Sequence, residues 1–217
     1  MNIDFSNEKV NKLRLFGGSR GSKIGILCNG ERYMLKFPAK PTRHAEASYT
    51  NSCICEYIAC HIFESLGIET QKTLLGRYGD KITVACLDFE SDGFLINEGT
   101  GEVRIAPVFD CASCLYPQLD EKNMQAVLSN REEIEDRLFA FPNSALKQDG
   151  VKINYARFLM TTGNTGCIKA LNVIREKIDM DRINTIIDET PYISQDHKTF
   201  LKTMLRERKE HIIGTAQ

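Results

Sequence analysis

The chain has 217 residues and a formal net charge of −1, with 28 Lys and Arg against 29 Asp and Glu. This length suits one domain of two lobes or two small domains, with room for a sizeable buried core. No block of Lys and Arg suited to a phosphate backbone is present, so nucleic acid is not expected as a main partner. Neither a leader-like apolar segment nor a run of about 20 apolar residues occurs, so we expect a cytoplasmic protein without membrane contact.

The eight cysteines raise the question of disulfides or zinc. Only Cys111 and Cys114 form a C-x-x-C pair, whereas a zinc ribbon needs two such pairs. Most of the others fall in helical or strand-like patterns: Cys28, Cys53, Cys55, Cys60 and Cys86. We therefore expect reduced and mostly buried thiols.

The first ninety residues are predicted to be rich in strands, with a single helix. A glycine-rich stretch, "FGGSRGSK", comes first and is expected to form a mobile loop whose backbone N–H groups can approach a phosphate. The segment "KIGILCNGERYMLKF" then reads as two strands joined by Asn29-Gly30, a dipeptide suited to the positive φ angles of a type I′ turn. This hairpin places Lys36 on its second strand.

Lys36 interrupts an otherwise apolar strand. Because side chains alternate along a strand, Lys36 shares a face with Met34, while Leu35 and Phe37 share the other face. The residue could be a solvent-facing lysine of a half-exposed strand. Alternatively, it could contact a phosphate and be held by a carboxylate, since a buried ammonium needs an anion.

The segment "NSCICEYIACHIFESLGI" predicts a helix with Asn51 or Ser52 as N-cap and Gly67 just past its end. At 100° per residue its apolar side chains form one arc, and Glu56 lies at the rim of that arc. A strand lysine followed by a helix glutamate is the order found in the N-lobe of protein kinases. The two residues can form an ion pair only if the helix packs across the sheet.

Two further hairpins follow, and then the pattern becomes helical. The first is predicted around Gly79-Asp80, and the second has its turn at residues 99–101. From Asp120 onward, a helical segment "EKNMQAVLSNREEIEDRLFAF" ends before Pro142, and four shorter amphipathic pieces follow it. The chain is therefore predicted to have an α+β fold.

Several longer stretches resemble one family of proteins. The segments "YMLKFPAKPT", "TLLGRYGDKITVACLDF" and "IAPVFDCASCLYPQLD" are similar to the HipA-like Ser/Thr protein kinases, and within them to the CtkA branch. The resemblance runs from about Phe16 to Ile213. It implies a bilobal protein-kinase-like fold, with a β-rich N-lobe over residues 1–90 and a shortened helical C-lobe over residues 91–217. It also implies ATP and Mg²⁺ bound between the lobes and transfer of the γ-phosphoryl group to Ser or Thr.

The same resemblance assigns roles to individual residues. Lys36 would bind phosphates, Glu56 would hold Lys36, and Asp110 would be the metal-binding aspartate. The phosphate loop would comprise Gly17, Gly18, Ser19, Gly21, Ser22 and Lys23, in which Ser19 and Ser22 are candidates for autophosphorylation. Backbone groups of the hinge would meet the adenine at Cys86, Leu87, Asp88 and Phe89.

The sequence departs from the family at the catalytic loop, D-R-H-x-x-N, whose aspartate orients the substrate hydroxyl and whose asparagine holds metal. The hinge segment "VACLDFE" passes within a few residues into the next hairpin, so no helix fits between them. Residues 181–185, "DRINT", place the asparagine too close to the aspartate and match a C-terminal helix instead. We therefore assign no catalytic residue, and expect uncovered apolar surface that a protein partner could cover.

Three hypotheses about function remain open. The first is a nucleotide-binding protein of this kinase family that has lost transfer activity, that is, a pseudokinase. The second is an active, autophosphorylating Ser/Thr kinase whose missing segment comes from another chain or was removed from the displayed form. The third is an interaction module that binds no nucleotide.

Overall fold

The computed structural model describes residues 3–17, 23–38, 51–89, 94–141 and 143–215. The described residues form two compact units, of which the first comprises Met1–Asp120 with Glu189–Ile193 and the second Glu121–Asp188 with Ser194–Gln217. The predicted α+β class is confirmed. The predicted boundary between kinase lobes, after residue 90, stays a prediction.

The first unit is built around a six-stranded sheet. Its strands and those of a separate hairpin are β1 (Ile3–Asp4), β2 (Lys9–Asn11), β3 (Lys23–Cys28), β4 (Glu31–Lys36), β5 (Thr73–Tyr78), β6 (Lys81–Leu87), β7 (Phe94–Ile96) and β8 (Val103–Ile105). The sheet order is β1-β5-β6-β4-β3-β2. β1 runs parallel to β5, and all other neighbours are antiparallel. β7 and β8 form a two-stranded antiparallel pair of their own.

The three predicted hairpins are confirmed, and their turns have the expected backbone. Asn29 and Gly30 between β3 and β4 have φ angles of 52° and 81°. These positive values are those of the predicted type I′ turn, which suits the right-handed twist of the flanking strands. Gly79 between β5 and β6 has a φ of 61°, and Gly101 between β7 and β8 has a φ of 70°.

The two faces of the sheet have different roles. One face forms a core in which the buried side chains are Phe5, Ile26, Cys28, Tyr33, Leu35 and Ala85. On the other face, Met34 lies opposite Cys86 and Lys36 lies opposite Val84 in the β4–β6 register. The first helix, α1 (Ser52–Ser65), lies against β5 and β6. Lys36 therefore shares a face of the sheet with Met34, as strand alternation predicts.

Both ends of α1 are defined by local hydrogen bonds. Asn51 is the N-cap residue, but its side chain makes no capping bond and donates to the carbonyl of Leu119 at 2.9 Å. At the other end, Gly67 has a φ of 74° and donates its N–H to the carbonyl of Glu64. Ile68 donates to the carbonyl of Phe63, which completes the 6→1 and 5→2 bonds of a Schellman motif. The predicted end of the helix is confirmed.

The second unit is mainly helical. Its elements are α2 (Glu121–Leu128), α3 (Arg131–Glu135) continued by a π-helical turn (Asp136–Ala140), β9 (Asn143–Gln148), β10 (Val151–Asn154), α4 (Tyr155–Thr161), α5 (Thr165–Lys177), α6 (Met180–Glu189) and α7 (Gln195–Arg208) continued by a second π-helical turn (Lys209–Ile213). Its core side chains include Met124, Leu138, Ile187, Phe200, Leu201 and Met204. Among the described residues, no helix combines the length and apolar character needed to cross a membrane.

Two features of this unit differ from the sequence prediction. The segment predicted as one helix before Pro142 is divided at Asn130, whose side-chain oxygen accepts the N–H of Glu132 at 3.0 Å and caps α3. The β9–β10 hairpin was not predicted. Its turn, Asp149-Gly150, has φ angles of 52° and 80° and is the same kind of signal that identified the first hairpin.

Large apolar side chains are exposed on the β7–β8 hairpin, namely Ile96, Val103 and Ile105. Further exposed apolar residues of the second unit are Phe139, Phe141, Val151, Tyr155 and Met160. The sequence predicted uncovered apolar surface. The partner expected to cover it stays a prediction.

Candidate functional site

Lys36, at the end of β4, is held between two carboxylates. Its Nζ donates to Glu56 Oε1 at 3.1 Å and to Asp110 Oδ1 at 2.9 Å. The lysine side chain is only 13% exposed. The contact with Glu56 that the sequence predicted is present, and the strand cation has the anion that burial requires.

Glu56 connects the lysine to a second part of the chain. The residue is buried in α1, at 1% exposure. Its second oxygen, Oε2, accepts the N–H of Ala112 at 3.0 Å, at the start of a 3₁₀ helix (Ala112–Leu115). One buried carboxylate therefore fixes both the strand lysine and the backbone that immediately follows Asp110 and Cys111.

Backbone hydrogen bonds at Val108 hold the segment that leads to Asp110. Val108 accepts the N–H of Gln71 at 2.9 Å and donates to the carbonyl of Glu69 at 2.8 Å. Asp110 itself has a φ of 56°, an uncommon value for a residue with a side chain. Its side chain is 76% exposed, so one face of the carboxylate meets solvent.

The charges of this site shift its pKa values in opposite directions. Burial opposes the charged form of Lys36, but the neighbouring carboxylates outweigh it and raise the pKa of Lys36 above its usual range. Partial burial opposes ionisation of Asp110, but the two lysines Lys36 and Lys23 lower the pKa of this carboxyl. Burial raises the pKa of the nearby Cys86 thiol well above its usual range, so this thiol is neutral at pH 7. Lys36 and Asp110 are therefore both charged at neutral pH.

A second lysine lies beside Lys36. In the β3–β4 register Lys23 is directly opposite Lys36, so the two side chains share a face of the sheet. Lys23 Nζ donates to the carbonyl of Gly17 at 3.0 Å. Gly17 and Lys23, two residues of the predicted phosphate loop, therefore lie near Lys36. The other predicted loop residues, Gly18, Ser19, Gly21 and Ser22, lie outside the described residues.

The predicted hinge is held by backbone hydrogen bonds within the protein. Leu87 donates its N–H to the carbonyl of Lys72, and its own carbonyl accepts Gln71 Nε2 at 2.8 Å. The N–H of Asp88 donates to the carbonyl of Arg32 at 2.9 Å. These bonds fix the hinge but also occupy groups that the family resemblance reserved for adenine, so the adenine contacts stay a prediction.

Two residues of the predicted hinge, Phe89 and Cys86, have different surroundings. The ring of Phe89 packs edge-on against Phe109, with 5.6 Å between ring centroids. Phe89 is therefore next to the segment that carries Asp110. Cys86 is fully buried opposite Met34. Its side chain contributes to the wall between the sheet and α1.

The prediction of free, mostly buried thiols is confirmed. None of the eight cysteines forms a disulfide, and six of them are buried. Within the described ranges, no group of three or more His, Cys, Asp or Glu residues is arranged to hold a metal ion. Asp110 provides a single carboxylate, which suits Mg²⁺ only where phosphate oxygens and water complete its octahedral shell.

One residue of the site was missed at the sequence level. Arg14 makes a bidentate ion pair with Asp88, with Nε to Oδ2 at 2.8 Å and Nη2 to Oδ1 at 3.0 Å. Its guanidinium carbon lies 5.1 Å from the centre of the Phe16 ring. The two partners are 74 residues apart. No local sequence pattern predicts a pair between residues so far apart in the chain.

Comparison with known proteins identifies the family. No protein-family model matches the chain. The chain is 40% identical to the serine/threonine-protein kinase CtkA of Helicobacter pylori in a match 283 positions long, gaps included, that covers 99% of this chain and 87% of that protein. The chain belongs to the CtkA family of HipA-like serine/threonine kinases. The predicted family is therefore confirmed.

Solved structures extend this result to the fold. The crystal structure of the H. pylori proinflammatory kinase CtkA is similar at a TM-score of 0.91 and 39% identity, over 99% of this chain and 96% of that chain. The CtkA-type fold is thus established for this chain. A HipA of Shewanella oneidensis, solved with HipB and operator DNA, is similar at a TM-score of 0.38 and 13% identity, over 94% of this chain and 66% of that chain, and is too distant to support an argument.

The match to the CtkA relative also reveals a difference in length. The match spans 283 positions, whereas this chain has 217 residues, so at least 66 residues of the relative have no counterpart here. Only residues 88–93 separate the end of β6 from the start of β7.

Proposed function

We propose that this CtkA-family chain binds ATP with Mg²⁺ at the site formed by Lys36, Glu56 and Asp110, and that it does not transfer the phosphoryl group as it stands. The single observation that supports nucleotide binding is the position of Lys36 Nζ, 3.1 Å from a buried Glu56 and 2.9 Å from Asp110. A lysine held in this way has a fixed pose and a permanent charge, which suits contact with phosphate oxygens.

The charges around the site favour a polyphosphate. Lys23 and Lys36 lie side by side, and the exposed Asp110 can turn toward a metal ion when phosphates take its place on Lys36. Bound Mg²⁺ would neutralise phosphate charge at this position. Glu56 is buried and keeps its bond to the Ala112 N–H, so Lys36 keeps one carboxylate partner throughout.

Loss of transfer is proposed from the residues that this chain lacks. The family's D-R-H-x-x-N loop is absent from the sequence, and we place the unmatched residues of the H. pylori kinase in the short connection between β6 and β7. Phosphoryl transfer depends on positioning and charge neutralisation, so loss of the catalytic aspartate and the second metal ligand together should be severe. Removal of one such group typically costs on the order of 10²–10⁴ in rate.

The length difference also favours a second candidate function. An active Ser/Thr kinase would result if the missing segment is supplied by another chain or was removed from the displayed form. Resequencing the gene across the codons for residues 88–94 tests the second possibility. An intact reading frame with no inserted segment supports the pseudokinase, whereas a frame that contains D-R-H-x-x-N establishes the kinase.

Binding is tested by thermal shift with ATP and Mg²⁺. We expect the wild-type protein to gain stability, because a ligand that binds only the folded state raises the melting temperature. Lys36→Ala should remove this gain. Lys72→Ala is the matched control, since Lys72 is 54% exposed and pairs with Glu31 at the surface. An equal shift in wild type and Lys36→Ala would contradict the proposal, and no shift in wild type would favour an interaction module.

Transfer is tested separately with ATP labelled at the γ-phosphate. We expect no label on the protein or on a generic Ser/Thr substrate. Label that appears with the wild type and is lost with Asp110→Asn would overturn the pseudokinase proposal and establish the active kinase. A cytoplasmic location remains part of the proposal and is supported by eight cysteines that form no disulfide, since disulfides persist in oxidising compartments.

A further inference from the structure

Two buried cysteines, Cys60 and Cys111, lie beside the charged cluster and have no role in the proposed function. Cys60 is in α1, four residues after Glu56, so these two side chains lie on the same side of the helix. Cys111 immediately precedes Ala112, whose N–H is bound by Glu56. The thiols of Cys60 and Cys111 are hydrogen bonded to each other. The contact between α1 and the start of the 3₁₀ helix therefore includes a pair of adjacent sulfur atoms.

The 3₁₀ helix is attached to α1 at both of its ends. Glu56 accepts its first N–H at 3.0 Å, and the Cys55 thiol donates to the carbonyl of Leu115, its last residue, at 3.4 Å. These two contacts limit how far Cys60 and Cys111 can move apart in the folded protein. Because the two sulfurs are already in contact, a small movement of one short helical turn is enough to join them.

Both thiols are shielded from solvent, but the chain beside them is not. Cys60 is 2% exposed and Cys111 is 5% exposed. The side chain of Asp110, next to Cys111 in the chain, is 76% exposed. A molecule as small as hydrogen peroxide has only a short distance to cross from solvent at Asp110 to the Cys111 sulfur. Large oxidants are excluded by the same burial.

We propose that Cys60 and Cys111 are a site of oxidative modification, at which hydrogen peroxide converts the two thiols into a disulfide that joins α1 to the segment carrying Asp110. One sulfur attacks a peroxide oxygen, the O–O bond breaks, and a sulfenic acid and one water molecule result. The other sulfur then attacks the sulfenic sulfur. An S–S bond forms, the S–O bond breaks, and the hydroxyl leaves as a second water molecule with the remaining thiol proton. The two sulfurs lose two electrons in total, and the peroxide gains them.

The cross-link would act on the structure in two ways. It closes a loop of about 50 residues, which restricts the unfolded chain and stabilises the fold. It also prevents the backbone after Asp110 from separating from α1, where Glu56 holds it. Intracellular disulfides are usually transient and redox-sensing, so a reversible bond is compatible with the reduced thiols of this structure. The inference does not depend on nucleotide binding.

The test maps the disulfide in the full-length native protein after treatment with hydrogen peroxide. The remaining thiols are alkylated and the protein is digested with trypsin, which releases residues 44–72 and 105–122 as separate peptides. We expect the two peptides to be joined, with a mass about 2 Da below their sum, and to separate in dithiothreitol. Fragmentation should assign the bond to Cys60 and Cys111. The oxidised protein should melt about 5–10 °C above the reduced protein.

Cysteine variants distinguish this pair from its neighbours. Cys60→Ser and Cys111→Ser should each lose the joined peptides and the rise in melting temperature. Cys114→Ser is the matched control, because Cys114 is an exposed cysteine of the same 3₁₀ helix, and this variant should keep both. A bond between Cys111 and Cys114, a joined product that depends on Cys114, or oxidation of the wild type without joined peptides would overturn the inference. The mapping in the wild type decides this even if a serine variant fails to fold.

Discussion

The ion pair between Lys36 and Glu56 should make a measurable contribution to folding stability. At 3.1 Å and an effective dielectric constant near 20, two unit charges attract each other by roughly 5 kcal/mol before desolvation is subtracted. Solvent screens this pair little, because the side chains are 13% and 2% exposed. Desolvation offsets part of the attraction, so we expect a net coupling free energy of about 2 kcal/mol.

The perturbation is a double-mutant cycle with Lys36→Met, Glu56→Gln and the double variant. Lys36→Met should cost about 3 kcal/mol, since it leaves the buried Glu56 carboxylate without a cation. Glu56→Gln should cost less, about 2 kcal/mol, because Asp110 still neutralises Lys36 and the amide oxygen can still accept the Ala112 N–H. The double variant should be less destabilised than the sum of both changes.

Urea unfolding followed by far-UV circular dichroism at pH 7 measures these free energies. The exposed pair of Lys72 and Glu31, at 54% and 45% side-chain exposure, is the matched control. Its coupling should stay below about 1 kcal/mol and shrink in salt. Additive effects of Lys36→Met and Glu56→Gln, within about 0.5 kcal/mol, would refute the reasoning that this pair is an energetically coupled unit.

Three further changes have expected outcomes in the same unfolding experiment. His197 is 2% exposed, and burial lowers its pKa to about 4. Between pH 6.5 and pH 4 the unfolded state therefore binds the proton more tightly than the folded state, so the free energy of unfolding should fall by about 3 kcal/mol as the pH is lowered over that range. His197→Leu should abolish this slope, and an unchanged slope would exclude His197 as its source. Gly76→Ala should lower the free energy of unfolding by about 2–3 kcal/mol, because the new Cβ would lie 2.5 Å from the Ile3 carbonyl oxygen. Gly163→Ala, with open space around it, should lower it by under about 1 kcal/mol, and equal losses in the two variants would refute the close approach at Gly76. Ser194→Ala should lower the free energy of unfolding by about 1 kcal/mol, because the Ser194 side chain caps α7 by accepting the His197 N–H at 3.2 Å. Ser194→Asp should keep the cap, and equal losses in the two variants would argue against a capping role for Ser194.

The parts of the fold that the sequence predicted are those set by local rules. Asn29-Gly30 predicted a hairpin because few other dipeptides adopt two positive φ angles cheaply. Gly67 predicted the end of α1 for a similar reason. The contact between Lys36 and Glu56 followed from strand alternation combined with helical period, together with the family resemblance.

The remaining features depend on contacts between distant parts of the chain. Asp110 meets Lys36 across 74 residues, and Arg14 meets Asp88 across the same separation. Neither pair leaves a periodic trace in the sequence. The division at Asn130 was missed for a different reason, since a capping asparagine within a continuous amphipathic pattern looks like an ordinary polar position.

The hydrogen bond between the Ala112 N–H and Glu56 Oε2 makes this backbone amide a reporter for the charged cluster of Lys36, Glu56 and Asp110. This amide lies at the start of a single 3₁₀ turn, where protection from deuterium uptake would ordinarily be weak. Exchange at residue 112 requires the chain after Asp110 to separate from α1. The rate at which deuterium enters at that position is therefore a direct readout of how often this part of the molecule opens in the native state.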